Sequence, residues 1–178
     1  PTGLPQLRQA ICDNLKAEYG LDYTADEIIV TAGVQESIML AMLGLVQEGD
    51  EVLITSPRFT TYDTAVHLCG GVPIPVPTYQ RDDFALDVAE IEKRITDKTR
   101  MFVMVSPNNP TGAVTPPEVI RKIAELAIKH DILVIADEIY AKLIYPGHEH
   151  LSLATLPGMK ERTITLNGFS KTYAMTGW

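Results

Sequence analysis

The stretch PPEVIRKIAELAIKHDILVIADEIY, Pro116 to Tyr140, carries the reading of the fold. Its first half places apolar residues three and four apart, at Ile120, Ile123 and Ala124, as on one face of a helix. Pro116 and Pro117 suit the first turn of that helix, where a missing N–H costs nothing. The second half, Ile132 to Ala136, is apolar throughout and rich in branched side chains, the pattern of a strand covered on both faces. Asp137 and Glu138 follow with no spacer, so two carboxylates stand at the mouth of a buried strand.

The same alternation runs outward in both directions. Glu27–Val30, Glu51–Ile54, Val72–Val76, Met101–Val105 and Thr163–Leu166 read as further strands. Leu4–Tyr19, Val34–Val46, Thr60–Cys69 and Val88–Ile95 carry helical spacing. Strands and helices alternating in this way predict right-handed crossovers, hence an α/β fold with a mainly parallel sheet and helices on both faces. Ligands of such sheets bind beyond the carboxyl ends of the strands, so the residues after each apolar run matter most.

Composition narrows the function. The 178 residues carry a net charge of −8, and the 15 basic residues are scattered, so a nucleic-acid surface is not expected. No run approaches the roughly 18 apolar residues of a membrane helix, and Pro1–Leu7 lacks a signal-peptide pattern. Two cysteines, Cys12 and Cys69, fit a reducing compartment, and a cytoplasmic protein is expected. The chain opens on Pro1-Thr2-Gly3 and stops at Gly177-Trp178 straight after a motif-dense stretch, as a piece of a longer protein would.

Several strand ends carry polar or cyclic groups. Asp137, desolvated at its strand end, calls for a nearby cation, and Tyr140 lies three residues further on. Read alone, a single Asp there is better explained by a helix cap or a metal ligand. Ser106-Pro107-Asn108-Asn109-Pro110-Thr111-Gly112 reads as a turn whose Asn side chains can also bond a ligand, with the Asn109–Pro110 isomer left open. Thr31-Ala32-Gly33-Val34-Gln35 joins a strand to a helix, and free N–H groups at a helix start favour an anion, although neither dinucleotide nor P-loop glycine spacing is present. Ser56-Pro57-Arg58-Phe59 puts an aromatic ring at the cleft, and Arg58 is a candidate to face it. Asn167-Gly168-Phe169-Ser170-Lys171 places a lysine among small and apolar residues, where burial would lower its pKa and make it nucleophilic. His148-Glu149-His150 reads as a solvated loop rather than a metal site, and no metal is expected.

Taken together, these segments resemble the class I/II aminotransferases of the large fold that binds pyridoxal phosphate. Ser106–Gly112 is similar to that family's Asn-Pro-Thr-Gly turn, Ala136–Tyr140 to its Asp-x-x-Tyr segment, Gly168–Lys171 to its Schiff-base signature, and Gly3–Arg8 to the opening of its large domain's first helix. The ordered set spans essentially the whole chain. The resemblance implies that residues 1–178 are part of the cofactor-binding large domain of the aspartate-aminotransferase-like fold. It implies pyridoxal 5′-phosphate held as a Schiff base on Lys171, which would also move the proton during catalysis. Asp137 would pair with the pyridine nitrogen, and Tyr140 and Asn109 would bond the phenolic oxygen. Phe59 would stack on the ring, while Val34 and Gln35 N–H groups and the Ser170 hydroxyl would hold the phosphate. The implied reaction is transamination between an L-amino acid and a 2-oxo acid, with 2-oxoglutarate the usual acceptor, aspartate a weak guess for donor, and a homodimer the usual assembly.

The departures matter equally. Many members carry Ser three residues before the lysine, where this chain has Gly168. A phosphate-binding Arg just beyond Trp178, an N-terminal segment and a small domain with a carboxylate-binding Arg would lie outside the chain, which alone is not expected to be a competent enzyme. The same motifs also serve C–S β-lyases, cyclopropane-carboxylate synthases and the effector domains of some transcription regulators, which stand as alternatives.

Overall fold

The computed structural model describes residues 2–177. Five strands, β1 Glu51–Ser56, β2 Val72–Pro77, β3 Thr99–Val105, β4 Leu133–Asp137 and β5 Thr163–Leu166, form one sheet of order β2-β1-β3-β4-β5. Every neighbouring pair is parallel, as the alternating sequence pattern predicts. Among the described residues, six α-helices accompany them: α1 Pro5–Tyr19, α2 Val34–Leu45, α3 Thr61–Leu68, α4 Val88–Glu92, α5 Pro117–Lys129 and α6 Phe169–Thr172.

Side chains alternate across the sheet and build a core on each face. Val52, Ile54, Met101, Val103, Val105 and Ile135 pack against Ile38 and Met42 of α2 and Tyr62, Ala65 and Val66 of α3. Leu53, Phe102, Met104, Val134 and Ala136 turn the other way, onto Ile91 of α4 and Ile120, Ile123, Ala124 and Ala127 of α5. Burial on both faces explains why these strands read as unbroken apolar runs. α1 lies apart, its Leu15 joining Leu21 and Ala154 in a smaller cluster.

One expected strand is absent. Glu27 closes a short 3₁₀ turn, Ala25–Glu27, whose capping box ties the Thr24 and Glu27 side chains and backbones together. Ile28–Val30 then runs extended without joining the sheet; Val30 N–H donates to the Thr2 carbonyl at 3.0 Å, and Ile29 is exposed. A short apolar run records burial potential, and here no described strand edge lies beside it.

Candidate active site

β4 runs one residue further than its apolar stretch suggests, so Asp137 is the last strand residue, in register with Val105 of β3 and Leu166 of β5. Its carboxylate is 4% exposed. Oδ1 accepts the Ile139 N–H at 3.0 Å, and Oδ2 accepts the Tyr62 hydroxyl of α3. Burial pushes the Asp137 carboxyl above its ordinary value, Glu138 adds to the rise, and the two hydrogen bonds oppose it. Burial and the neighbouring Asp137 drive the Tyr62 phenol upward as well, so it stays the donor. No cation takes part in either balance among the described residues.

Tyr62 was not legible as a site residue. It sits on the apolar face of α3, 75 positions from Asp137, where an aromatic ring is ordinary core material. The loop leading into α3 is stapled by Arg58, whose Nε donates to Asp63 Oδ2 at 2.7 Å while Nη2 bonds Oδ1. That fork holds the Asp63 carboxyl below the usual range and engages Arg58 with Asp63 rather than with the cleft. Between them, Phe59 is 41% exposed, so it is not a core ring.

On the far side of Asp137, the turn after β3 folds back on itself. Asn108 Oδ1 accepts the Thr111 hydroxyl at 2.9 Å, and Asn108 N–H donates to the Ala113 carbonyl. Ser56–Pro57, Ser106–Pro107 and Asn109–Pro110 are cis, which answers the question the sequence left open at Asn109. Asn109 Nδ2 reaches the Tyr140 hydroxyl at 3.4 Å, joining two residues singled out from different motifs. Both line a cavity of about 750 Å³ with Thr55, Thr78, Asp83 and Thr111. Among the described residues, Thr55 Oγ1 is buried there without a partner, and no lysine or arginine lines the cavity.

The helix α2 starts from Gly33 at φ +79, a conformation that glycine adopts without strain. The Val34 and Gln35 N–H groups belong to its first turn, where no intrahelical acceptor exists. The Glu36 carboxylate already takes the Ala32 N–H just outside that turn. Gly168 connects this corner to the lysine segment: a Cβ built on it would lie 3.0 Å from Ile139 Cδ1 and 3.4 Å from Val34 Cγ2. The absence of a side chain at 168 therefore lets β4's exit, the α2 start and the approach to α6 close together.

Lys171 and Ser170 lie on α6, a single turn with no buried residue, and Lys171 is exposed. The burial that the sequence reading gave Lys171 is therefore not supplied by the described residues. Phe169, Tyr173 and Met175 beside it are exposed as well. His150 departs from expectation in the opposite sense: its side chain is 9% exposed and its Nε2 lies 3.1 Å from Glu138 Oε2, so it is no solvated loop residue.

A parallel open sheet with a buried carboxylate, a phenol–amide pair and a free helix start at its carboxyl edge defines a cofactor-binding α/β protein of the doubly wound kind. The profile of the aminotransferase class I and II family matches residues 1–178, and the chain belongs to that family. It is 45% identical over 177 residues to an aspartate aminotransferase of Pyrococcus abyssi, covering 99% of this chain and 46% of that protein. A bifunctional aspartate aminotransferase and glutamate/aspartate-prephenate aminotransferase of Petunia hybrida is 46% identical over 177 residues, 99% of this chain and 37% of that one. Among solved structures, the aromatic aminotransferase of Pyrococcus horikoshii superposes with a TM-score of 0.97 at 47% identity, covering 99% of this chain and 48% of that chain. The aspartate aminotransferase of Thermus thermophilus with maleate gives 0.96 at 40% identity, covering 100% and 46%. The chain thus spans about half the length, 46%, of the Pyrococcus abyssi relative. Family members of the aspartate aminotransferase type use pyridoxal 5′-phosphate.

Proposed function

We propose that residues 1–178 are part of the cofactor-binding large domain of an enzyme that moves an amino group between an L-amino acid and a 2-oxo acid. The observation that carries this reading is Asp137, a buried carboxylate given one phenol, one N–H and no cation. Such a group is unfavourable until a proton-bearing, positively charged partner arrives. The pyridinium nitrogen of pyridoxal 5′-phosphate is a partner of that kind. The rest of the donor set fits the same molecule: N–H groups at the α2 start for a phosphate, an Asn–Tyr pair for a phenolic oxygen, and an open aromatic ring for a flat heterocycle.

When bound, the cofactor supplies an electron sink for the electrons released at the substrate's α-carbon. The protein's part is placement and proton traffic. Asp137 would keep the ring nitrogen protonated, and Tyr62 and the Ile139 N–H hold Asp137 in place. Asn109 and Tyr140 would donate to the phenolic oxygen, Phe59 would stack on the ring, and the Val34 N–H, Gln35 N–H and Ser170 hydroxyl would hold the phosphate. Lys171 Nζ would hold the cofactor and would carry the proton to and from the substrate's α-carbon.

None of the described residues lining the cavity is a lysine or arginine, so none of them offers a cation to a substrate carboxylate. The names of its relatives favour aspartate as donor; 2-oxoglutarate as acceptor, a homodimer and a cytoplasmic setting complete the reading. No helix among the described residues is long and apolar enough to cross a membrane. The test is to supply the full-length protein with the cofactor, L-aspartate and 2-oxoglutarate and to measure glutamate. Glutamate formation that Lys171→Ala abolishes supports transfer. Pyruvate and ammonia released from a thioether amino acid, with no glutamate formed, would assign the site to a β-lyase instead.

A further inference from the structure

The second carboxylate at the β4 end takes no part in the chemistry above, yet it is the more elaborately held of the two. Glu138 is 1% exposed. Its Oε1 accepts the Ser152 hydroxyl at 2.9 Å and the Leu153 N–H at 3.3 Å, and its Oε2 faces His150 Nε2 at 3.1 Å. The His150 ring stands edge-on to Tyr19 of α1, with centroids 5.5 Å apart and planes at 77°. These three partners, two side chains and one backbone N–H, come from chain that returns after a largely exposed segment, residues 142–149.

The backbone of Glu138 secures the other side of the same loop. Its N–H donates to the Leu166 carbonyl of β5 at 2.9 Å, and its carbonyl accepts the Ala141 N–H at 2.9 Å. One residue thus fastens the neighbouring strand, the turn that carries Tyr140 and the returning chain. Within the bracketed segment, Leu143, Tyr145 and His148 line the same cavity as Asn109 and Tyr140. A carboxylate buried purely as filling would be costly, whereas one saturated by donors from a returning loop fixes where that loop lies.

We propose that Glu138 is a positioning residue, latched by His150, that fixes the Tyr140 hydroxyl at the edge of the cofactor and holds residues 141–149 as a wall of the substrate cavity. The proposal rests on the cofactor reading above. Glu138 touches neither cofactor nor substrate; it acts through Tyr140.

The test uses the full-length protein and two variants, the absorbance measurement being repeated in a Tyr140→Phe background. His150→Phe keeps a ring against Tyr19 and removes the donor. Glu138→Gln keeps the shape and the acceptor for Ser152 and Leu153, and guards against a failure of the first variant to fold. In the cofactor-free protein, His150→Phe is expected to raise hydrogen exchange of the amides of residues 139–143 by about tenfold, leaving β3 and the body of β4 unchanged. In the cofactor-loaded protein, the pH midpoint of the cofactor's visible absorbance is expected to move by about half a unit, less in Glu138→Gln, and not at all when Tyr140 is already Phe. A lowered melting temperature with unchanged exchange in 139–143 and an unmoved absorbance midpoint would overturn the proposal, as would an equal shift in the Tyr140→Phe background. Should the wild-type protein bind no pyridoxal 5′-phosphate, the functional reading fails, and the exchange experiment still decides whether the latch exists.

Discussion

Asp137 and Glu138 are adjacent carboxylates at the end of one strand, both buried, and their surroundings differ in kind. Glu138 meets two side-chain donors and a backbone N–H, all from the chain that returns at 150–153. Asp137, the last residue of β4, meets one phenol and one N–H. Strand alternation sends the two side chains to opposite faces, Asp137 toward α3 and Glu138 toward the 3₁₀ turn at Leu153–Thr155. The contrast separates a carboxylate completed by the fold from one that, on the proposed reading, the cofactor would complete. Stability is expected to follow the first and chemistry the second.

The strongest attempt to break that contrast is Glu138→Ala. Removing a saturated buried acceptor strands His150, Ser152 and Leu153, and chemical denaturation is expected to show a loss of about 3–5 kcal/mol. Asp137→Asn is the converse case. Amino transfer by the full-length enzyme is expected to fall roughly 10²–10³-fold, as for loss of one preorganised charge at a reacting group, while the cofactor-free protein melts no lower than wild type. If Asp137→Asn instead destabilises the cofactor-free protein as Glu138→Ala does, the division between the two carboxylates collapses.

Two smaller effects sharpen it. Tyr62→Phe removes the phenol that orients Asp137, and cofactor affinity measured by equilibrium titration is expected to drop about tenfold, the worth of one hydrogen bond to a charged group. The smallest effect concerns pH. The folded-state pKa of Asp137 is raised by burial, so the native chain binds the proton more tightly than the unfolded one. The stabilising contribution of the protonated form is therefore full below the ordinary aspartate range and is lost as pH rises through the raised native value. Melting temperatures of cofactor-free Asp137→Asn and wild type are expected to converge in acid and to separate, with the variant higher, toward neutrality.

The strands and helices of the two-faced core were legible because burial on both faces leaves an unmistakable apolar run, as in Ile132–Ala136, and because α5 shows its period openly. Ile28–Val30 misled for the same reason: a short apolar run states what could be buried, and sheet membership needs a partner edge that local pattern does not encode. Asp137, Asn109 and Tyr140 stood out because polar residues at strand ends are few and their motifs ordered. Tyr62 did not, since only the packing of α3 on the sheet carries its hydroxyl to Asp137. His150 looked solvated beside Pro146 and Gly147, and its burial depends on Glu138 and on Tyr19 from the far end of the chain. The expected burial of Lys171 has no counterpart on α6, where no residue is buried.

The central claim is that this sheet edge holds pyridoxal 5′-phosphate through Lys171. It is tested most directly by incubating the full-length protein with the cofactor, reducing with borohydride, and locating the label by peptide mass mapping. The account predicts one pyridoxyl group on Lys171, lost in Lys171→Ala and weakened in Asp137→Asn. Labelling at another lysine, or none under conditions where the protein is folded, would contradict it.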